Sequence, residues 1–393
     1  SEEILNVLVK THSLKVAGRT SSFQFRGRSE DLRTIGETLG VKNILEGSIR
    51  KANNRVRITA QLVTADDGFH LWSETYDREL TDIFAIQDEI ARSITDALAI
   101  ELNLADSEQS LVSVSTTNME AYDRYLEARG LIAQRRDFPR IMALLHEATQ
   151  LDPDFAEGWA ANAQAHSLST YYLDVDRDET KGTAEAMALK ALELDPDLSM
   201  AHSALGDIYR DRYQWQKARK SYLHALSLNP DEIEANEQFT QMLIRARYFD
   251  EALQYSTRAV DLDPLSWINR TVHAALRYAL GDRAGGWSDM QKALKTDFGG
   301  SRQDYTLRHA IHMSLNDGEL ERAIDLTKSL SISNWSLTGG GKGKAYFDQL
   351  IPHLDSREDT LAFLESNLDQ SISLGFSSPW STDLFWAAYY LSL

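Results

Sequence analysis

A short element ending in proline recurs along the C-terminal two-thirds of this 393-residue chain. The triplet LDP occurs at residues 151–153, 194–196 and 262–264, and the related triplet LNP occurs at 228–230. Pro196, Pro230 and Pro264 are separated by 34 residues at each step. A fixed period of this length is typical of stacked units that bury their apolar faces against one another. The spacing therefore predicts a repeat array rather than a single closed core.

The residues between the prolines agree with this interpretation. Gly206 and Ala218 allow two helices to approach closely, and Pro230 cannot continue a helix. Residues 199–232 carry the characteristic residues at Leu205, Gly206, Tyr209, Ala218, Tyr222, Ala225 and Pro230. This pattern resembles the tetratricopeptide repeat, a helix–turn–helix unit of 34 residues.

The period places repeats near 122–155, 156–198, 199–232, 233–266 and 267–300, with a looser sixth near 301–334. The step from Pro153 to Pro196 is nine residues too long, and we expect the surplus in residues 171–179. The predicted domains are residues 1–105, about six repeats over 116–335, and a linker with a C-terminal helical cap over 336–393. Within that cap, DLFWAAYYLSL is predicted to pack on the last repeat.

The N-terminal 105 residues show a different period. RVRITAQLV, residues 55–63, alternates strictly between apolar and polar side chains, which predicts a half-buried strand. KNILEGSIRKA is predicted to pair with it through Asn53–Asn54, and FHLWSETYD is predicted as a third strand. Further elements are a strand at LKVAGRTSSF and helices at SEEILNVLVKT, at SEDLRTIGETLG closed by Gly40, and at IFAIQDEIARSITDALAIEL capped by Asp82. The predicted fold class is an α+β small mixed sheet with helices, followed by an all-α tetratricopeptide superhelix.

This region resembles the TolB-like N-terminal domain of bacterial signalling proteins. The resemblance lies in residues 16–27, 35–63, 68–80 and 82–94, and it covers most of residues 1–105. It implies a following tetratricopeptide array and an upstream output domain. That output domain would be a class III adenylate cyclase or a winged-helix (CadC-like) DNA-binding domain.

The sequence departs from that family at its start. Members carry a further strand and loop before the segment that matches SEEILNVL, and the chain begins at Ser1 without them. We expect that the sheet lacks its first strand and that the chain is a piece of a longer polypeptide. An open sheet edge can pair with another chain, so association between two copies is a hypothesis.

Charge and composition limit the function. The formal net charge is -18, and residues 1–105 hold 13 Lys and Arg against 16 Asp and Glu, so most of the negative charge lies in the repeats. That excess disfavours nucleic-acid binding. Arg50, Lys51, Arg55 and Arg57 form a basic hairpin, which we interpret as the solvated face of the sheet. The chain has no cysteine, which excludes thiolate catalysis, and it has no apolar run long enough for a membrane helix.

Three stretches have both a functional and an ordinary interpretation. SLTGGGKGKAYF, residues 336–347, departs from the phosphate-loop pattern at two positions, so a linker is favoured over a phosphate site. His309 and His312 lie three residues apart, and an ordinary helix face is favoured over a metal site. Trp72 and Tyr76 share a strand face with His70 and Glu74; a half-buried face is favoured over a contact with a partner domain.

The concave face of the repeats is the main candidate site. By offset, the first helices contribute polar residues there, and their acidic character predicts a basic or polar peptide as the guest; a solvated face with no ligand is the alternative. The candidate groove residues are Gln164, Asp207, Glu234, Glu237, Gln241 and Arg245.

The sequence thus favours a non-catalytic regulatory region that binds a protein or peptide partner. We expect no catalytic residue, cofactor or metal ion. The alternatives are a fragment of an adenylate cyclase or of a membrane-linked transcription regulator, and a pure assembly scaffold. The compartment is open: cytoplasmic, or extracytoplasmic if a membrane helix precedes Ser1.

Overall fold

The structure is a computed structural model that describes residues 16–25, 27, 30–52, 55–79, 93, 116–295 and 301–329. The chain divides into two compact units, Ser1–Ser266 and Trp267–Leu393, which are taken separately below. The predicted helix at SEEILNVLVKT, the Asn53–Asn54 turn, nearly all of the Asp82 helix, residues 336–347 and the C-terminal cap lie outside the described residues. In the described part, no helix is long and apolar enough to cross a bilayer.

The first unit contains a small antiparallel sheet, as the alternating pattern predicts. Its strands are β1 (Asn43–Ala52), β2 (Arg55–Thr64) and β3 (His70–Glu79), paired in the order β1–β2–β3. Ala52 pairs with Arg55, and the β2–β3 register shifts between Leu62 and Val63. One face of β2 is apolar, with Val56, Ala60 and Leu62 buried.

Both favoured interpretations of the sheet faces agree with the geometry. On the polar face, the Arg55 and Arg57 side chains both bind the Asp77 carboxylate, at 2.8 and 2.6 Å, and both arginines are exposed. On the apolar face, Tyr76 is buried beside Val56 and Leu62, and Trp72 packs against them.

Among the described residues before the sheet, two helices form: α1 (Arg19–Ser22), followed by a 3₁₀ turn at Phe23–Phe25, and α2 (Leu32–Leu39). Gly40 closes α2 in the left-handed region at φ 66°, as expected for a glycine C-cap. The prediction of a strand at LKVAGRTSSF was wrong for the described residues, where Val16–Gly18 is irregular and α1 follows. The reason is that this backbone bonds to a distant turn: the Gly18 N–H donates to the Leu262 carbonyl and the Ser21 N–H to Asp263.

Four helix pairs follow in the part of the first unit that the structure describes. They are α3 (Met119–Ala133) with α4 (Phe138–Leu151), α5 (Ala156–Ser169) with α6 (Arg177–Leu194), α7 (Ser199–Asp211) with α8 (Trp215–Leu228), and α9 (Ile233–Arg245) with α10 (Phe249–Leu262). The second pair contains the extra residues that the spacing of the prolines predicts. They lie in the loop at 170–176 and in α6, which has 18 residues where the corresponding helix α8 has 14. We number these pairs repeats 1 to 4.

Close packing within a pair follows from the small residues. A Cβ at Gly206 would meet the Tyr222 ring at 2.7–2.9 Å, and Tyr222, Ala218 and Ala225 are fully buried. Glycine at 206 therefore lets α7 lie directly on the aromatic ring of α8.

The second unit contains two further helix pairs in its described part. They are α11 (Trp267–Ala279) with α12 (Arg283–Lys295), and α13 (Ser301–Asn316) with α14 (Leu320–Lys328). The Tyr278 hydroxyl donates to Asp317 at 2.7 Å, and Trp287 Nε1 donates to the same carboxylate at 2.6 Å.

Candidate functional site

Charged side chains are buried where the first helices of repeats 1 to 4 face one another. One of these contacts joins Arg135, just after α3, to Glu237 on α9 at 2.7 Å, across 102 residues of sequence. Their side chains are 5% and 6% exposed. Because repeat 1 touches repeat 4, the first helices curve around a shared interior. This interior is our candidate for the groove that the sequence predicts.

We call the linked polar groups of this interior the groove network. Its charged members are Arg129, Arg135, Lys181, Asp207, Arg210, Asp211, Glu234, Glu237 and Arg245. Gln164, Tyr171, Tyr222 and Gln238 join them through hydrogen bonds. Buried charges of this kind persist only when they are paired and hydrogen-bonded, and each charged member here lies within 4.0 Å of an opposite charge.

Arg210 is the centre of the groove network, and it is 1% exposed. Its Nη1 donates to Gln238 at 2.7 Å and to Asp207 at 3.2 Å, and its Nε donates to Asp211 at 2.9 Å. Its Nη2 donates to the Tyr171 hydroxyl at 3.0 Å, and that hydroxyl donates to Asp211. A guanidinium can make these planar contacts at once because it holds five N–H donors in one plane.

The two carboxylates beside Arg210 differ in their proton affinity. Burial raises the pKa of Asp207 to about 6, and the opposing effects of Arg210 and the Tyr222 hydroxyl are too small to cancel it. Burial acts on Asp211 in the same direction, but Arg210 and Arg245 outweigh it and hold its pKa below the ordinary value. Asp207 is therefore the member of the groove network that changes its protonation state most easily near neutral pH.

A second contact between repeats 1 and 4 is less tightly closed. Arg129 on α3 lies 3.5 Å from Glu234 on α9, with side chains 16% and 15% exposed, and its Nη1 donates to Gln164 at 3.1 Å. Burial and the charge of Glu234 raise the pKa of Glu232 to about 7, against the effect of Arg129. Two carboxylates thus lie near one guanidinium, so a further positive charge at this end of the groove would favour the ionised form of Glu232.

The structure brings most of the predicted groove residues into this interior. Gln164, Asp207, Glu234, Glu237 and Arg245 all belong to the groove network, and Gln241 is buried on α9. The inference of an acidic groove needs correction, because Arg129, Arg135 and Arg210 neutralise most of these carboxylates. Offsets within the period did not single out Arg129 and Arg135. Arg210 follows Asp207 by one helical turn and could have been found.

The other candidate residues lie apart from this interior. His309 on α13 packs edge-on against the Tyr305 ring at 4.7 Å, and burial lowers its pKa to about 3, with His312 contributing. A histidine in this state stays neutral at physiological pH. In the ranges that the structure describes, no group of three His, Asp or Glu side chains is placed to hold a metal ion.

Comparison with known proteins identifies the helical part. Residues 199–232 match the family described as Tetratricopeptide repeat. A relative from Rhizobium meliloti (strain 1021), named "Putative adenylate cyclase 3", is 40% identical over 163 residues, which are 41% of this chain and 28% of the relative. The match therefore spans less than a third of the length of that relative.

Similar solved structures include Pseudomonas aeruginosa PilF (18% identical, 60% of this chain and 99% of that chain, TM-score 0.42). Two others are PilW, a type IV pilus biogenesis factor (15%, 54% and 93%, TM-score 0.40), and a thermophilic tetratricopeptide protein of Thermus thermophilus (16%, 48% and 97%, TM-score 0.39). From the family match and the helix pairs, the chain contains tetratricopeptide repeats. These repeats are a fold that uses an extended concave surface for binding.

Proposed function

We propose that this chain is a non-catalytic regulatory region of a bacterial signalling protein and that it binds a polar protein segment in the concave face of repeats 1 to 4. The observation that carries the proposal is the groove network. A buried ion network contributes little or nothing to stability compared with apolar packing of the same volume. Its concentration on one concave face is therefore better explained by binding than by folding.

The end of the groove at Glu232 and Glu234 favours a basic side chain on the guest, because two carboxylates lie there near one guanidinium. Glu234 is held only at 3.5 Å by Arg129, whereas Glu237 is held at 2.7 Å by Arg135. A lysine or arginine of the guest can replace Arg129 on Glu234 with little loss of pairing. The deeper residues are almost fully buried, so a guest reaches them only when repeats 1 and 4 separate.

The N-terminal sheet supports the regulatory part of the proposal. The TolB-like resemblance covers most of residues 1–105, and the described part of this region packs against the exit of repeat 4, where Leu265 contacts the cluster of Ala17, Ile35 and Leu39. Guest binding in the repeats would thus act on the N-terminal domain, which lies between the repeats and an upstream output domain.

A peptide selection tests this proposal. Peptides are selected from a random display library on the full chain, and binding is measured by fluorescence anisotropy for the wild type, Glu234→Gln and Glu251→Gln. Glu251 is a matched control, because its carboxylate pairs with Arg219 between α8 and α10, outside the groove network.

We expect basic peptides to be selected and Glu234→Gln to weaken their binding about tenfold, the effect of losing about 1.4 kcal/mol. Glu251→Gln should leave the affinity within about twofold, as for an exposed pair. Equal effects of the two substitutions, or a selection that yields no binder, would contradict the proposal.

A second function is favoured by the relative from Rhizobium meliloti: the parent polypeptide synthesises cyclic AMP through an upstream domain, and this chain is its C-terminal part. The test is cyclic AMP production by the full-length parent, with this region intact and with Glu234→Gln. Activity in the parent supports this candidate; no activity with either divalent metal ion used by cyclases, Mg²⁺ or Mn²⁺, favours the transcription-regulator alternative.

A further inference from the structure

We propose that two contacts are coupled in one switch: the ion pairs between repeats 1 and 4, and the attachment of the N-terminal segment. When the groove opens, the segment around Ser21 loosens. The inference rests on the proposed function only in naming what opens the groove. It concerns two contacts: the repeat 1–repeat 4 closure formed by Arg129, Arg135, Glu234 and Glu237, and the docking of Gly18–Ser22 on the turn after α10.

The closure has to open as a unit. If the Arg135–Glu237 pair breaks while the helices stay in place, two charged groups remain buried without the opposite charge beside them, which is strongly unfavourable. Separation of α3 from α9 lets water reach both groups. These features favour two discrete arrangements, closed and open.

The docking contact is built into a repeat turn. At three earlier turns the side chain closes the turn itself: Asp152, Asp195 and Asn229 each accept from the backbone N–H two residues later. At the fourth turn the corresponding N–H, that of Leu265, donates to the Ser21 hydroxyl at 2.7 Å. The hydroxyl and the backbone N–H of Ser21 both donate to Asp263 Oδ1. Ser21 therefore takes the place of a side-chain bond that the other turns make internally.

Both contacts act on the first turn of α9. A Cβ at Gly18 would lie 2.7 Å from Ile233 Cδ1 and 2.9 Å from the Leu262 carbonyl, so the Gly18 backbone lies directly against the start of α9. Ile233 precedes Glu234, and Glu237 lies one turn later. A movement of α9 away from α3 therefore displaces Ile233 against Gly18, because a close-packed interface has no space to absorb it.

Hydrogen–deuterium exchange on the full chain, without any guest, tests this coupling. The opened variant is Arg135→Glu, which puts a second carboxylate beside Glu237 so that the closed arrangement becomes repulsive. The control is Arg140→Glu, which puts a second carboxylate beside Glu127 at an exposed pair in the same repeat. Exchange is followed in peptides covering residues 16–25 and 263–266, and urea unfolding of each variant corrects for changes in global stability.

We expect exchange in both peptides to rise by about fivefold or more in the opened variant, the lower end of measured couplings between sites, and to stay unchanged in the control. Because coupling is reciprocal, Ser21→Ala should raise exchange in peptides covering 129–136 and 233–238 by a similar factor. This second variant keeps the test decisive if the opened variant does not fold.

Changes confined to the neighbourhood of each substitution would overturn the coupling. The proposed function fails independently: if selected peptides bind and depend on Glu234 but the exchange results are local, only this inference is wrong. If the exchange results are coupled but no groove ligand exists, only the proposed function is wrong.

Discussion

Ser21 and Asp263 are 242 residues apart in the sequence and form a buried pair in which the Ser21 backbone N–H donates to Asp263 Oδ1 at 2.9 Å. The Ser21 hydroxyl donates to the same oxygen and accepts from the Leu265 N–H. This relationship attaches the N-terminal segment to the exit of repeat 4, and it explains why residues 16–25 do not extend the sheet.

Replacement of Ser21 by alanine should destabilise the first unit by about 1–3 kcal/mol, because the part-buried Leu265 N–H loses its acceptor and the buried Asp263 loses a donor. Ser22→Ala is the matched control, since the Ser22 hydroxyl bonds only to the nearby Ala17 carbonyl. Urea unfolding followed by circular dichroism measures both. Equal losses in the two variants would show that the Ser21 contact has no special role.

Removing only one member of the Arg135–Glu237 pair should strongly lower the free energy of unfolding. Arg135→Met leaves Glu237 buried without its guanidinium, and we expect a loss of about 3–5 kcal/mol in the free energy of unfolding. Arg140→Met breaks the exposed Arg140–Glu127 pair and should cost less than about 1 kcal/mol. A small effect at Arg135 would mean that the interior of repeats 1 to 4 is open to water.

Asp207 should make the chain less stable as the pH rises from about 4 to 6. Its pKa is about 6 in the folded chain and 3.8 ordinarily, so the folded state holds the extra proton in this window and its release disfavours folding. The difference corresponds to about 3 kcal/mol. Asp207→Asn has no carboxyl group to release a proton. Its free energy of unfolding relative to that of the wild type should therefore increase through the same pH window. Urea unfolding at a series of pH values checks this; parallel curves for the two proteins would contradict the raised pKa.

Two glycines in helices should respond oppositely to alanine. At Gly206 a Cβ would overlap the Tyr222 ring, so Gly206→Ala should cost about 1–3 kcal/mol by overpacking. At Gly182 on α6 a Cβ would meet nothing within 4 Å, so Gly182→Ala should stabilise by about 0.5–1 kcal/mol through helix propensity. Thermal unfolding of both variants decides; a stabilising Gly206→Ala would contradict the close approach of α7 and α8.

Local periodicity was sufficient to predict the helix pairs and the three strands. The 34-residue step located the turns, and the alternation in RVRITAQLV separated Val56 from Arg57 on opposite faces of β2. The helix starts at Ala156, Ser199, Ile233 and Trp267 agree with the predicted repeat starts at 156, 199, 233 and 267. These features depend on neighbours within one or two elements.

Contacts between distant elements could not be predicted in this way. No period indicates that Arg135 in repeat 1 meets Glu237 in repeat 4, because that contact depends on the curvature of the stacked helices. The strand predicted at LKVAGRTSSF failed for the same reason: its backbone partners, Leu262 and Asp263, lie beyond the reach of a local pattern. The TolB-like resemblance and the identity of the guest stay predictions.

The distance between repeats 1 and 4 tests the central claim most directly. The chain has no native cysteine, so Arg136→Cys and Arg247→Cys provide two unique sites for spin labels on exposed turns of repeats 1 and 4. Electron–electron double resonance then measures the separation with and without a saturating selected peptide. A guest that enters the groove should lengthen this distance, and the Glu234→Gln background should suppress the change. An unchanged distance with the peptide fully bound would contradict binding between these repeats.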